Sequence, residues 1–437
     1  KIFLSHKINT ITNQPVKENF LHYLWNYGLF QGPLKTTEGD LIEVIKPGIR
    51  NTDSGPDFSD ARVRIGDTIW AGNIEIHIQS SSWYEHGHDK DPAYNNVILH
   101  VVLNNDKPVV RPDGQQIFCL ECSDLIPGQV YEKYEGLMKS RQWIPCARIL
   151  KFCPEIIINS TIESQIIERL LSKAAMLENM FSAAGNDWEE LFYRLLLRSF
   201  GLKTNTTPFE MLAYSLPHKI IQRHRDQPLQ IEALFLGQAG FLSEDLKDSY
   251  PQQLKNEYEF LKNKYSLNHL DKSIWKFFRL RPASFPTIRL AQLSALLHSS
   301  PSLFSEVLEI NDINTLRSFF NASPNHYWNT HYRFDIIAVD TRVKALSEST
   351  IDILIINAVV PILYFYGSYH KFSEFKEKAL NILEQLPPEE NSIIQNWKSS
   401  GIVVKNAFGS QALLNLKHEY CDKKRCLECR IGNELLK

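Results

Sequence analysis

The feature that most constrains this chain is a change of hydrophobic period near Pro154. Before it, apolar and polar residues alternate over short runs bounded by Gly, Pro, Asn and Asp, which is the pattern of strands and turns. After it, apolar residues recur every three to four positions, which is the pattern of helices. One kind of element cannot satisfy both periods. The sequence therefore predicts an α+β protein, with a mixed α/β domain over residues 1–150 and a larger all-α domain over residues 151–437. With 437 residues and 43% hydrophobic content, each half holds enough apolar side chains for a core of its own.

In the first half an amphipathic helix is predicted over 17–29, with Phe20, Leu24 and Tyr27 on one stripe and Leu21 and Trp25 beside it. Strands follow at 41–45, 58–65, 68–79 and 96–103, and Asp113-Gly114 predicts a β-hairpin between Val109 and Ile117. In the second half helices are predicted over 162–180, 188–200, 208–216, 231–236, 254–265, 288–297, 354–366 and 374–386. No fixed-period repeat links them, so a globular helical domain is expected rather than a solenoid.

Chemistry concentrates on the third predicted strand. Ile74, Ile76 and Ile78 fall on one face, and Glu75, His77 and Gln79 on the other. Asp57 follows the Gly55-Pro56 turn at the mouth of the preceding strand, and a turn at Asp67 joins the two, so antiparallel pairing would carry Asp57 towards Glu75. Two carboxylates, a backbone carbonyl and waters are the ligand set of Mg²⁺ or Mn²⁺. Such an ion polarises a phosphoryl oxygen and acidifies an attacking water.

Downstream, His86-Gly87-His88 with Asp89 and Asp91 offers a His-x-His chelate for a transition metal; a solvated loop is the competing reading. His100 interrupts the apolar run 97–103 and reads as a core residue. Trp83, Tyr84 and Tyr94 flank the histidines, either to stack on bases or simply to pack.

At Asp57 and the Glu75-Ile76-His77 run the chain resembles the PD-(D/E)XK phosphodiesterase superfamily, whose signature is an Asp opening one core strand and a Glu-x-Lys on the next. Asp57 and Glu75 match, and His77 stands where the lysine belongs. The resemblance implies a restriction-endonuclease-like fold with an α-β-β-β-α-β core, Mg²⁺ or Mn²⁺ held by Asp57 and Glu75, and a catalytic set of Asp57, Glu75, His77 and Gln79. His77 would replace the lysine as a hydrogen-bond donor or general acid or base, and Gln79 would orient water or phosphate. The superfamily's first helix can lend a Glu, here Glu18, and Lys46 is a candidate for a migrated lysine. His86 and His88 would then close over the mouth of the site.

The wider string, Asn51 to Phe58 through Trp83, His86, His88, Tyr94 and Leu99-His100-Val101-Val102, is similar to an uncharacterised bacterial family known only as a domain of unknown function. That likeness runs the length of the chain and brings no activity with it. The expectation is a metal-dependent nuclease or a nuclease-derived nucleic-acid-binding protein, with DNA and RNA both open. The alternative is a catalytically inactive nuclease fold acting as a scaffold or assembly subunit, with the helical half as its protein-partner surface. A third reading is another phosphodiester or ester hydrolase that uses His86 and His88 with a transition metal.

Forty-eight basic against fifty acidic residues give a formal net charge of −2, so nucleic-acid binding must rest on a local patch. Arg279, Arg281 and Arg289 around residues 282–286 offer one, unless they are salt-bridged or solvated. Tyr327, Trp328, His331 and Tyr332 are expected in a core.

Seven cysteines, an odd number, argue against a disulfide framework. Cys119 and Cys122 share a predicted strand at a spacing that splits their faces, so they read as packing. At the carboxyl end, His418, Cys421, Cys426 and Cys429 could complete a tetrahedral Zn²⁺ site, or the three cysteines with a distant fourth such as Cys146 could hold an iron–sulfur cluster. Metal-free thiols are the competing reading, and Lys423, Lys424, Arg425 and Arg430 would lower the thiol pKa. Lys1 to His6 is too poor in apolar residues for a secretory signal. The apolar run from Ile351 to Tyr366, broken by Asp352, Asn357 and Pro361, reads as a buried helix rather than a span, so the expected location is cytoplasmic, with no membrane role.

Overall fold

The structure, a computed structural model, describes residues 16–51, 53–300 and 302–437. The segment on which the signal-peptide reading rests lies outside the described residues. Two compact units divide the chain, Lys1–Thr161 with Lys417–Lys437, and Ile162–Leu416. The expected partition at residue 150 therefore needs one correction: the last 21 residues, 417 to 437, return to the sheet unit. The reason is burial, because Cys426 and Leu436 join the same core as Tyr131, Tyr134 and Leu137.

The sheet unit is built on seven strands: β1 Leu34–Lys35, β2 Leu41–Lys46, β3 Ile49–Arg50, β4 Phe58–Ile65, β5 Thr68–Gln79, β6 Val97–Asn104 and β7 Phe118–Glu121. Their order is β1-β2-β4-β5-β6-β7, with β3 beside β4. The pairs up to β4 with β5 are antiparallel, whereas β5 with β6 and β6 with β7 are parallel. The antiparallel β4–β5 pair closes through the tight turn at Gly66-Asp67, while the parallel β5–β6 pair needs a crossover. That crossover holds a short helix, Ser82–Glu85, and a 3-10 turn, Pro92–Tyr94.

Where β5 meets β6 the backbones come very close. A Cβ on Gly72 would sit 2.5 Å from the Asn96 carbonyl oxygen, so only glycine fits.

The helix Glu18–Tyr27 packs on β5 and ends at Gly28, whose left-handed φ of 60° suits a residue without Cβ. Phe20 is fully buried, with its ring stacked 4.8 Å from Tyr134. Residues 20–25 are buried throughout, so this helix is covered on more faces than its amphipathic stripe predicts. The predicted hairpin shrinks to one bridge, Val110 to Gln116, because the chain beyond it is drawn into β7 alongside β6. Cys119 and Cys122 are buried there, as packing residues.

The helical unit encloses a separate core that includes Phe192, Phe200, Phe235, Leu293, Trp328 and Leu363. The stretch Glu348–His370 is long and apolar enough to cross a membrane, and 78% of its most apolar window is buried inside the structure. It is a core helix here, with a π turn at Ile355–Val359 just ahead of Pro361, which has no N–H to donate to the helix. Arg289 is buried and donates to Gln292 and Thr350, so the three-arginine patch does not form. Tyr327 stacks on His331 at 4.1 Å and Trp328 is fully buried, as core residues.

Candidate functional site

The pairing of β4 with β5 fixes the two carboxylates. Phe58 pairs with Ile74, and β4 begins there, so the next N–H along β5 has no strand partner on that side. The Asp57 side chain takes it: Oδ2 accepts from the Ile76 N–H at 2.9 Å. In return, Glu75 Oε2 accepts from the Asp57 N–H at 3.1 Å. This reciprocal lock makes the convergence of the two acids a property of the backbone register.

The crossover supplies two of the histidines, His86 and His88, and strands β5 and β6 supply His77 and His100. The crossover runs over the face of β5 that carries Glu75 and His77 and places His88 Nε2 3.2 Å from Glu75 Oε1, while His77 Nε2, on β5 itself, lies 3.6 Å from the same oxygen. His77 bridges two further rings, with Nδ1 2.8 Å from His100 Nε2 and Nε2 3.2 Å from His86 Nδ1. His88 stacks on Tyr94 at 3.8 Å, and Trp83 lies edge-on to both. His77, His86 and His88 present ligand atoms all within 4.8 Å of one another, the one such group of three among the described residues.

The expected single buried face of β5 is thus two buried faces, with Glu75 only 4% and His77 only 2% exposed. Burial, reinforced by the Asp57 charge, holds the Glu75 carboxyl above its ordinary pKa. Burial, reinforced by neighbouring histidines, pushes His77 down to about 3, and burial does the same to His100. Both rings are neutral at pH 7. His77 therefore does not carry the lysine's positive charge, and only the expected roles of a neutral ring, as hydrogen-bond donor or base, stay open to it. Lys46 does not supply that charge either, since it pairs with Asp60 at the surface. Gln79 is exposed at the end of β5 and joins none of the site's hydrogen bonds. Trp83 and Tyr94 are buried as packing, away from any base-stacking position.

Glu18 is half-buried, its carboxyl raised by burial and by the Asp57 charge. Four residues on, His22 stands between them, Nε2 3.2 Å from Asp57 Oδ2 and 3.9 Å from Glu18 Oε1. The Asp57 contact has ion-pair distance without hydrogen-bond alignment, so both His22 nitrogens lack a hydrogen bond, as does His100 Nδ1. Sequence reasoning missed His22. Its signal was a polar residue one turn after Glu18, between apolar positions of the same helix.

Among the cysteines, His418 is turned away from the expected set. It is exposed and lies 3.1 Å from Asp422. Cys421 instead shares its surroundings with Cys146, Cys426 and Cys429. Burial, not the neighbouring bases, dominates these thiols and raises all four, Cys146 and Cys426 to about 12. The bases are engaged elsewhere, Lys423 with Glu419 and Arg425 with Glu428.

A cavity of about 910 Å³ lies in the helical unit and is lined in part by Lys173, Asp352, Asn357 and Glu389. Burial pushes Lys173 down to about 7, and its Nζ donates to Asn357. The cavity has no paired carboxylates locked by hydrogen bonds and no histidine group, so the donor chemistry for a metal belongs to the sheet unit.

No curated protein and no solved structure matches the chain. A family profile does, over residues 18–392, a stretch that opens with Glu18 and takes in His22, Asp57, Glu75 and all the histidines around them. The chain belongs to that family, described as protein of unknown function, DUF2851.

Proposed function

We propose that the sheet unit is a metal-dependent phosphodiesterase site acting on nucleic acid. One observation carries the reading: Asp57 and Glu75 are interlocked through the ends of β4 and β5 beside three histidines whose nitrogens already converge. The order of elements supports it, since helix Glu18–Tyr27, strands β2, β4 and β5, the short crossover helix and β6 follow the α-β-β-β-α-β order of the PD-(D/E)XK core.

The donor set fits a divalent ion. Asp57 and Glu75 offer oxygens, His77, His86 and His88 offer nitrogens, and the unpartnered nitrogens of His22 and His100 mark polar atoms that protein alone leaves unsatisfied. Imidazole ligands favour manganese or another transition metal over magnesium. A bound ion of this kind polarises a phosphoryl oxygen and acidifies an attacking water. The chain's own residues do the rest. Glu75, its carboxyl held above the ordinary range by burial, is the candidate to take a proton from the attacking water, and the ring contact of exposed His86 with His77 at 3.2 Å links the buried site to its solvent side. Asp57, partly exposed, is the carboxylate of the pair nearer to solvent, and Trp83 and Tyr94 hold the rings of His88 and His100 in place.

The full chain is incubated with plasmid, single-stranded DNA and RNA in Mg²⁺ or Mn²⁺, beside Glu75→Ala and Asp57→Asn. Cleavage is expected, faster in Mn²⁺, and reduced about a hundredfold or more in both variants. Absence of cleavage from all three substrates, or cleavage that survives Glu75→Ala, rejects the reading. One observation favours the alternative of a silent nuclease fold: among the described residues no lysine pairs with Asp57 or Glu75, and Lys46 is held by Asp60. Stable co-purification with a protein partner, without cleavage, would select it.

A further inference from the structure

The carboxyl-terminal segment brings together cysteines that are 275 residues apart. Cys421 lies within electrostatic reach of Cys146, Cys426 and Cys429, Cys146 of Cys426 and Cys429, and Cys426 of Cys429. Every pairing among the four is thus close enough to interact, and all four thiols are free. They lie in the sheet unit, where Cys426 is part of the core and Cys146 packs against it.

The backbone around them is shaped for sulfur. Cys426 and Cys429 sit on a turn in which the Cys429 N–H reaches back to the Cys426 carbonyl at 3.4 Å, and the N–H groups of Ile431 and Gly432 donate to the Cys429 sulfur. Gly432 lies so near that a Cβ there would meet the Cys426 carbonyl oxygen at 2.1 Å, so the turn closes only with glycine. Such N–H donors favour sulfur in its thiolate form, the form that binds metal. The segment is also tied down: Tyr23 donates to the Asn433 carbonyl, Asn433 to Tyr27, and Lys133 to the Leu436 carbonyl.

We propose that Cys146, Cys421, Cys426 and Cys429 form a four-thiolate site for a soft metal centre, either a zinc ion or an iron–sulfur cluster. Four unpaired, largely enclosed thiols drawn together from two distant stretches of chain supply the ligand number and softness of such a centre, and the thiols ionise on binding the cation. Binding releases those protons and forms four metal–sulfur bonds. The thiols are more widely spread than the histidine trio, since no three of their sulfurs come within 4.8 Å of one another among the described residues. A single zinc ion would draw them inward; a cluster of several irons would span them with less movement. The site is separate from Asp57 and Glu75, so its test does not depend on cleavage.

Zinc, iron and acid-labile sulfide are measured per chain on anaerobically purified full-length protein. Wild type is compared with Cys146→Ser, Cys426→Ser, His418→Ala and Cys119→Ser. Expected for wild type, His418→Ala and Cys119→Ser is about one zinc, or about four irons with matching sulfide and visible absorption bleached by dithionite. Cys146→Ser and Cys426→Ser are expected to lose roughly fivefold or more of it. Unchanged metal in Cys146→Ser, or loss in His418→Ala, overturns the assignment. Wild type that carries neither metal and takes up no cobalt(II) overturns it as well. Should the serine variants fail to fold, the thiolate charge-transfer intensity of cobalt-loaded wild type decides: a value for four thiolates supports the site, and fewer reject it.

Discussion

Asp57 and Glu75 were legible as a pair because the short turn at Gly66-Asp67 folds the start of β4 back onto β5, but the observed pairing of Phe58 with Ile74 is set by a register shift between Phe58 and Ala61 that alternation does not reveal. Their partners were only partly legible. His77, His86 and His88 were named, but their convergence depends on the path of a crossover that periodicity does not encode, and His22 stands on a helix that the sequence reads only as an apolar stripe. The same limit hid Glu232, fully enclosed in the helical unit with Trp328 Nε1 donating to it at 2.7 Å. Burial raises its pKa from 4.5 to about 7, so the folded state binds its proton more tightly than the unfolded chain does. That contribution to stability is fully present below about pH 4.5 and is lost as pH rises through about 7. Glu232→Gln keeps an acceptor for Trp328 and has no charge to bury. The variant is expected to match wild type near pH 4.5 and to exceed it above pH 7 by on the order of 3 kcal/mol, read from denaturant midpoints across that range. Equal pH slopes for the two proteins would refute the assignment.

Among elements, the strands of the sheet unit lay close to their predicted spans because alternation over eight to twelve residues has one structural meaning, whereas Asp113-Gly114 marked a turn whose second arm was claimed by a parallel neighbour. A local signal cannot reveal that competition. The β5–β6 contact is equally nonlocal, and Gly72 is its sequence trace. Gly72→Ala places a methyl carbon 2.5 Å from the Asn96 carbonyl oxygen and 2.6 Å from Ile98 Cγ2, neither of which is the free end of a long side chain. The substitution is expected to destabilise the sheet unit by about 2 kcal/mol or more, although alanine suits a strand interior better than glycine. Urea unfolding followed by near-UV circular dichroism checks it, and a midpoint equal to wild type would show that the strands can part at no cost.

At the scale of the whole molecule, the change of period near Pro154 was enough to foresee a sheet unit and a helical unit, but not the return of residues 417 to 437, because the amphipathic face of a short terminal helix does not name the surface it covers. Arg430–Leu436 buries Ile431 and Leu436 in the sheet unit, with 2% and 0% exposure. Full burial of such a side chain contributes roughly 1.5–3 kcal/mol. Ending the chain at Leu416 is therefore expected to lower the unfolding midpoint of the sheet unit while the helical unit keeps its own, seen as two separated transitions in calorimetry. A single unshifted transition would mean that the terminal helix adds nothing.

The crossover between β5 and β6 has a further consequence. Both oxygen donors and His77 are fixed by strand pairing, whereas His86 and His88 hang from a connecting loop, so two of the three nitrogen donors are carried on a separately variable piece of chain. Replacing residues 86 and 88 would leave Asp57, Glu75 and a lone His77 on an intact backbone, and the preferred ion would drift from manganese towards magnesium without one strand moving.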